Sequence, residues 1–311
     1  MRSPKNNLDR NRGNKGLKVK RKFILAFEGY RTEVQYFNGV SENRSRLRIP
    51  TLIEIIPLER YPIESGSSEP DRVLDLLEEY IKFLEYGKYP VDLLINTFIT
   101  NVVSEKEVQC KKETVNRLSS LLKEQLRSLC DANGLIRDSE EAFDLCRKIY
   151  GAMGPVEPLL FDIPAPIDYR NDRDVVCVIV DRDKDSRSIS KCEEFFSRCR
   201  KNGFVPYMTN PCFEMWLLLH FDEILKEDKK VLLQNDKING IRFTEKKLDE
   251  ILRTYPANAG YSKDNLDFGS FMHRVDNAIK NEKTFCNEQK CIKSHVGSNI
   301  GVLIEQMRRR D

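Results

Sequence analysis

Val175-Val176-Cys177-Val178-Ile179-Val180 runs straight into Asp181-Arg182-Asp183-Lys184-Asp185. Six apolar residues rich in β-branched side chains predict a strand. A run apolar on both faces suits the centre of a parallel sheet covered by helices on each side. Outward from it, strand and helix alternate. Upstream, residues 22–27 (KFILAF) form a short strand that stops at Glu28-Gly29, after which Val34, Phe37 and Val40 keep helical spacing. Residues 52–57 (LIEIIP) predict a second strand, and Pro70 opens a helix carrying Val73, Leu74, Leu77 and Ile81. Downstream, Ser190 and Glu193 read as a capping box for a helix to Arg200 that Gly203 ends. Residues 204–208 make a fourth strand, and Asn210-Pro211 caps and starts an almost wholly apolar helix over 212–221.

Alternation of this kind implies an α/β fold with a parallel sheet and crossover helices. One segment, residues 87–172, is too long for a loop and carries an amphipathic stripe (Val108, Val115, Leu118, Leu122, Leu126, Leu129) and a helix over 140–152. It reads as an inserted helical subdomain between a first core part, 21–86, and a second, 173–311. Helices near 244–254, 271–285 and 299–309 complete the chain.

Composition narrows the function classes. The 311 residues are 40% hydrophobic and 32% charged, with 15 Gly and 13 Pro, which excludes collagen-like and wholly disordered chains. No stretch reaches the ~20 apolar residues of a membrane span, and the basic N-terminus lacks the apolar core of a signal peptide. A cytoplasmic protein with no membrane partner is expected. The net charge of +3 is unevenly spread: residues 1–20 hold seven Lys and Arg against Asp9. That arm reads as a disordered tail, either touching phosphates or simply solvated. The nine cysteines include no C-x-x-C pair, and the three histidines have no metal spacing to them, so buried reduced thiols are expected and zinc is not. No P-loop, dinucleotide fingerprint, G-x-S-x-G elbow or H-E-x-x-H occurs. Chemistry must come from carboxylates and cations.

In α/β sheets ligands bind at the carboxyl ends of the strands. Glu28 lies there on the first strand, and Asp181 and Asp183 on the third, on one face by the period-2 rule, with Asp185 following if the chain stays extended. Oxygen ligands of this type suit Mg²⁺ or Mn²⁺. The interleaved cations Arg182, Lys184 and Arg187, with Arg31 near Glu28, suit phosphate, and the combination is what phosphodiester cleavage needs. The same charges also fit a solvated loop, and spacing alone does not separate the two.

At these residues the chain resembles a known family. Glu28-Gly29-Tyr30-Arg31-Thr32-Glu33 with Tyr36-Phe37, Asp181-Arg182-Asp183 after its strand, and the block from Thr209 to Phe221 (TNPCFEMWLLLHF) are similar, in order, to the conserved blocks of RloB-like proteins. The resemblance covers roughly residues 20–85 and 173–311, and the segment between is atypical of the family core. It implies a Toprim-like fold in which Glu28, Asp181 and Asp183 bind Mg²⁺. It also implies a place in bacterial anti-phage loci, often beside an ABC- or AAA-type ATPase.

Glu214, in an apolar helix and outside its cap, needs a cation or a proton if buried. It reads as metal ligand, as support to one, as base, or as half of a structural salt bridge. Glu33 suits either the site or the helix dipole, and His220 either the site or the core, where Trp216 belongs. Tyr261 and Lys263 resemble a late Y-x-K element of the family, with Lys263 either holding phosphate or exposed. The expectation is a Mg²⁺- or Mn²⁺-dependent Toprim-like nuclease for DNA or RNA, tRNA included. Its catalytic residues are Glu28, Asp181, Asp183 and Glu214, with Glu28, Asp181, Asp183 and Asp185 on the metal and Arg31, Arg182, Lys184 and Lys263 on phosphate. The alternative is a non-catalytic sensor or adaptor that binds an ATPase or a phage component. Oligomeric state stays open, a homo-oligomer included.

Overall fold

A computed structural model describes residues 21–29, 31–58, 70–106, 112–152, 169–183, 187–255 and 260–309. The basic arm, Tyr30, Val108, Lys184 and Asp185 lie outside them. The chain enters as β1 (Arg21–Phe27), α1 (Thr32–Glu42), β2 (Ile53–Pro57) and α2 (Pro70–Tyr86). Three helices follow: α3 (Val91–Lys106), α4 (Lys112–Leu126) and α5 (Ser139–Ala152). Then come β3 (Val175–Asp181), α6 (Ile189–Lys201), β4 (Val205–Asn210) and α7 (Phe213–Leu218). A lobe of α8 (Lys229–Gln234), β5 (Lys237–Ile238), β6 (Ile241–Arg242) and α9 (Phe243–Arg253) precedes the last elements. Those are α10 (Gly269–Met272), α11 (Val275–Glu282), α12 (Gln289–Ile292), β7 (Gly297–Ser298) and α13 (Ile300–Arg308).

The main sheet has the order β2-β1-β3-β4-β7. The first four strands are parallel, with Phe27 opposite Ile179 and Asp181 opposite Thr209. β3 lies at the centre because its run is apolar on both faces. Strand parity builds two layers. Phe23, Leu25, Phe27, Cys177 and Ile179 join a core with α1, α7, α9, α11 and α13. Ile24, Ala26, Val176, Val178 and Val180 join another with α2 to α6. The result is a mixed α/β fold consistent with the Toprim-like expectation.

Several local expectations are corrected. Helix α6 is capped by Ser188, whose hydroxyl accepts from the Lys191 amide at 3.3 Å, because that amide is the free donor three residues on. Ser190 lies inside the helix, and Glu193 pairs with Lys293. Asn210 is no cap but the last residue of β4, its side chain donating to the Ile292 carbonyl at 2.6 Å. The Asn210–Pro211 bond is cis, and α7 starts after Cys212 and stops at Leu218. The helix expected over 271–285 is broken between α10 and α11. Within the 87–172 segment, Phe98, Leu122 and Phe143 pack in one apolar cluster with the sheet face. Finally, Cys286 and Cys291 form a disulfide, whereas Cys146, Cys177, Cys192 and Cys199 are buried thiols as expected.

β7 is the edge that backs the site, antiparallel to β4 with Ser298 opposite Thr209. A Cβ on Gly297 would overlap the Cys286 carbonyl. Gly297→Ala is therefore expected to lower unfolding free energy by more than about 2 kcal/mol, since backbone cannot yield as a side chain can. Urea unfolding measures this, and an unchanged midpoint would contradict the packing described.

Candidate active site at the strand ends

The carboxyl ends of β1, β3 and β4 open into a cleft of about 340 Å³. Asp181 and Asp183, two apart in sequence, both line it, as do Glu33 from the first turn of α1 and Glu214 from the first turn of α7. Arg31 and Lys263 stand at its border. Each side chain is held by what the strands and helix starts supply. The Thr209 hydroxyl donates to Asp181 Oδ1 at 2.6 Å. The Tyr261 hydroxyl donates to Glu214 Oε1 at 2.8 Å, and Lys263 Nζ lies 3.3 Å from the same oxygen and 2.6 Å from Glu245. Glu33 is tucked against Gly29, where any Cβ would overlap its carboxylate. Glycine at that turn is thus what lets the carboxylate fold under the end of β1.

Burial and mutual repulsion set the electrostatics. Burial, then the charges of Glu214 and Glu28, push the Glu33 carboxyl up from 4.5 to about 7. Burial, then Glu33 and Glu28, hold the Asp181 carboxyl well above the usual range. Burial followed by the nearby Glu214 and Asp181 raises the Cys212 thiol as well. Negative charge is concentrated here beyond what the neighbouring protein cations offset.

Glu28, the residue after β1, reaches the end of β3 and helps raise the Glu33 and Asp181 carboxyls. Its Oε2 accepts from the Asp181 amide and from Arg187 Nη2, both at 3.1 Å. Arg187 is buried over the Phe195 ring. The sequence places it among the phosphate-facing cations, whereas its guanidinium rests on Glu28. Arg182 is a correction: it is buried, donating to the backbone carbonyls of Lys293 and Arg187, so its guanidinium is turned into the fold rather than toward phosphate. Arg31 is half exposed and paired with Asp264. His220 is a core residue, not a cleft residue. Its Nδ1 faces the Trp216 and Leu217 carbonyls at 3.1 Å, so it carries the proton, and Nε2 accepts from the Tyr36 hydroxyl at 3.1 Å. Burial lowers it to about 3, and Trp216 packs beside it. Lys184 and Asp185 lie outside the described residues.

Hard oxygen donors in a desolvated, over-acidic cleft match the chemistry of Mg²⁺ or Mn²⁺. Among the described residues no three His, Cys, Asp or Glu side chains are already drawn together as a ligand set. Arg187 instead takes Glu28, and Lys263 takes Glu214. The donor types fit a divalent ion, while two of the carboxylates, Glu28 and Glu214, rest on protein cations.

The family model described as RloB-like protein matches residues 23–307, so the chain belongs to the RloB-like family, and the match runs through the 87–172 segment. None of the curated proteins and none of the solved structures matches the chain. Among the described residues no helix is long and apolar enough to cross a membrane.

Proposed function

We propose that this RloB-like protein is a metal-dependent nuclease that cleaves phosphodiester bonds of DNA or RNA, tRNA included, in bacterial anti-phage defence. One observation carries the reading: Glu33, Asp181, Asp183 and Glu214 converge on one cleft at the ends of parallel strands, bordered by Arg31 and Lys263. Asp181 and Asp183, with Glu33, Glu214 or a released Glu28, would hold Mg²⁺ or Mn²⁺. Such an ion, when bound, supplies an activated water and offsets charge on the reacting phosphate. Thr209 fixes Asp181 through its hydroxyl, and Tyr261 fixes Glu214. Arg31 is about half exposed and paired with exposed Asp264, so it can turn to a phosphate at small loss, whereas Lys263 also holds buried Glu214 and would be freed once an ion took that carboxylate. With no P-loop in the chain, nucleotide-dependent switching would come from a separate ATPase, which the family resemblance suggests.

A second reading has its own support. Arg187 on Glu28 and Lys263 on Glu214 already neutralise two of the acids, as a structural cluster in a sensor or adaptor subunit would. The experiment that separates the two is a cleavage assay on plasmid DNA and total tRNA with Mg²⁺ or Mn²⁺, alone and with the neighbouring ATPase. Wild type is expected to cleave, and folded Glu28→Ala and Asp181→Ala variants to lose on the order of 100-fold or more. Silence from wild type under every condition, with tight binding to the ATPase, establishes the adaptor instead.

A further inference from the structure

The hairpin β5–β6 stands beside the cleft and adds almost nothing to the core. Lys237, Ile238 and Ile241 are exposed, the last to 50%. Its two turn residues, Asn239 and Gly240, both have positive φ (55° and 85°), the signature of a tight Asn-Gly turn that fixes register. The base is anchored to the cleft floor. Asn235 Oδ1 accepts from the Thr244 amide and hydroxyl, each at 3.0 Å, and its Nδ2 donates to Cys212 Sγ at 3.5 Å.

The cross-strand pairs of this ribbon are Lys237 with Arg242 and Ile238 with Ile241. Two like charges directly opposite one another disfavour the ribbon, and Arg242 is held in place by donating to the Asn235 carbonyl at 3.3 Å. Arg242 lines the cleft, and a residue directly opposite on an antiparallel ribbon shares its face, so Lys237 faces the same way. Residues 226–247 hold seven Lys and Arg against four acids, next to a cleft floor dominated by carboxylates. A polyanion that leaves a divalent-ion site would meet this cationic pair next.

We propose that the hairpin is a clamp for the phosphodiester backbone of the polynucleotide entering the cleft. Lys237 and Arg242 take successive phosphates on the cleft-facing side, while Ile238 and Ile241, one residue along on each strand, face the other side of the ribbon. This rests on the nuclease reading and names how its substrate is held outside the reacting centre. It predicts that a polynucleotide is bound well beyond the scissile bond.

The test is fluorescence anisotropy with labelled single-stranded DNA, duplex DNA and RNA, in EDTA so that binding is read without cleavage, with cleavage measured separately. Lys237→Glu is expected to weaken binding about tenfold and to reduce the slope of log affinity against log salt by about one. Ile238→Ser with Ile241→Ser, on the opposite face, is expected to leave binding and salt slope unchanged. Both variants should melt at the wild-type temperature, since neither side chain is in the core. If wild type binds and cleaves while Lys237→Glu binds as well as it does, or if the isoleucine variant loses as much binding as Lys237→Glu, the clamp is wrong and the nuclease reading stands. If wild type binds no polynucleotide, both readings fall together.

Discussion

Asp181→Asn is expected to make the protein more stable and inactive at once. The Asp181 carboxyl is buried and faces Glu33, Glu28 and Glu214, so in the absence of a cation its charge opposes folding. Asparagine keeps the shape, and its Oδ1 can still accept from the Thr209 hydroxyl that now lies 2.6 Å from Asp181. Near pH 8 without metal, unfolding free energy should rise by about 1 kcal/mol or more, in the range seen when a functional site is relaxed. Cleavage should fall below detection. Adding Mn²⁺ should stabilise wild type and leave the variant unmoved, because only the folded wild type gains a ligand. A variant less stable than wild type at every pH would mean that Asp181 is half of a structural pair.

Glu33→Gln should differ from wild type in a pH-dependent way. The Glu33 carboxyl is raised from 4.5 to about 7, first by burial, then by Glu214 and Glu28. A folded-state value above the unfolded one means that the folded protein holds this proton more tightly. That stabilisation is fully present below pH 4.5 and is lost as pH rises through 7, about 3 kcal/mol across the window. Glutamine does not ionise, so the variant should match wild type near pH 4 and exceed it by up to about 3 kcal/mol at pH 8. His220, lowered to about 3, acts with the opposite sign in acid, but it is present in both proteins and cancels in the difference. Urea unfolding at a series of pH values reads the effect directly. Parallel curves for the two proteins would show that Glu33 is not held in the repulsive cluster.

Much of this arrangement is legible in the sequence, and the parts that are not have physical reasons. The run from Val175 to Val180 forms the central strand because no polar residue limits it to one solvated face. Asp181 and Asp183 both reach the cleft, as period-2 alternation implies. Glu28 sits at a strand end beside Asp181 as read, but its partner Arg187 is brought to it only by the folded sheet. Arg182 and Arg187 carry no local mark of burial, because the carbonyls and the carboxylate that receive them come from elsewhere in the chain. Helix α3 has no clean polar stripe to announce it, since Leu94, Ile95, Phe98 and Ile99 are buried by several neighbours at once. The two-residue β7 is too short for any periodicity, and the Cys286–Cys291 pairing follows no metal or redox spacing.

The measurement that bears most directly on the carboxylate cleft as a metal site is a Mn²⁺ titration followed by electron paramagnetic resonance, on wild type, Asp181→Asn and Asp183→Asn. Free Mn²⁺ gives a sharp signal that broadens and vanishes on binding, so no turnover is required. Saturable binding by wild type that both variants lose is the expected result. Wild type that leaves every added ion free, or variants that bind as it does, would contradict the assignment.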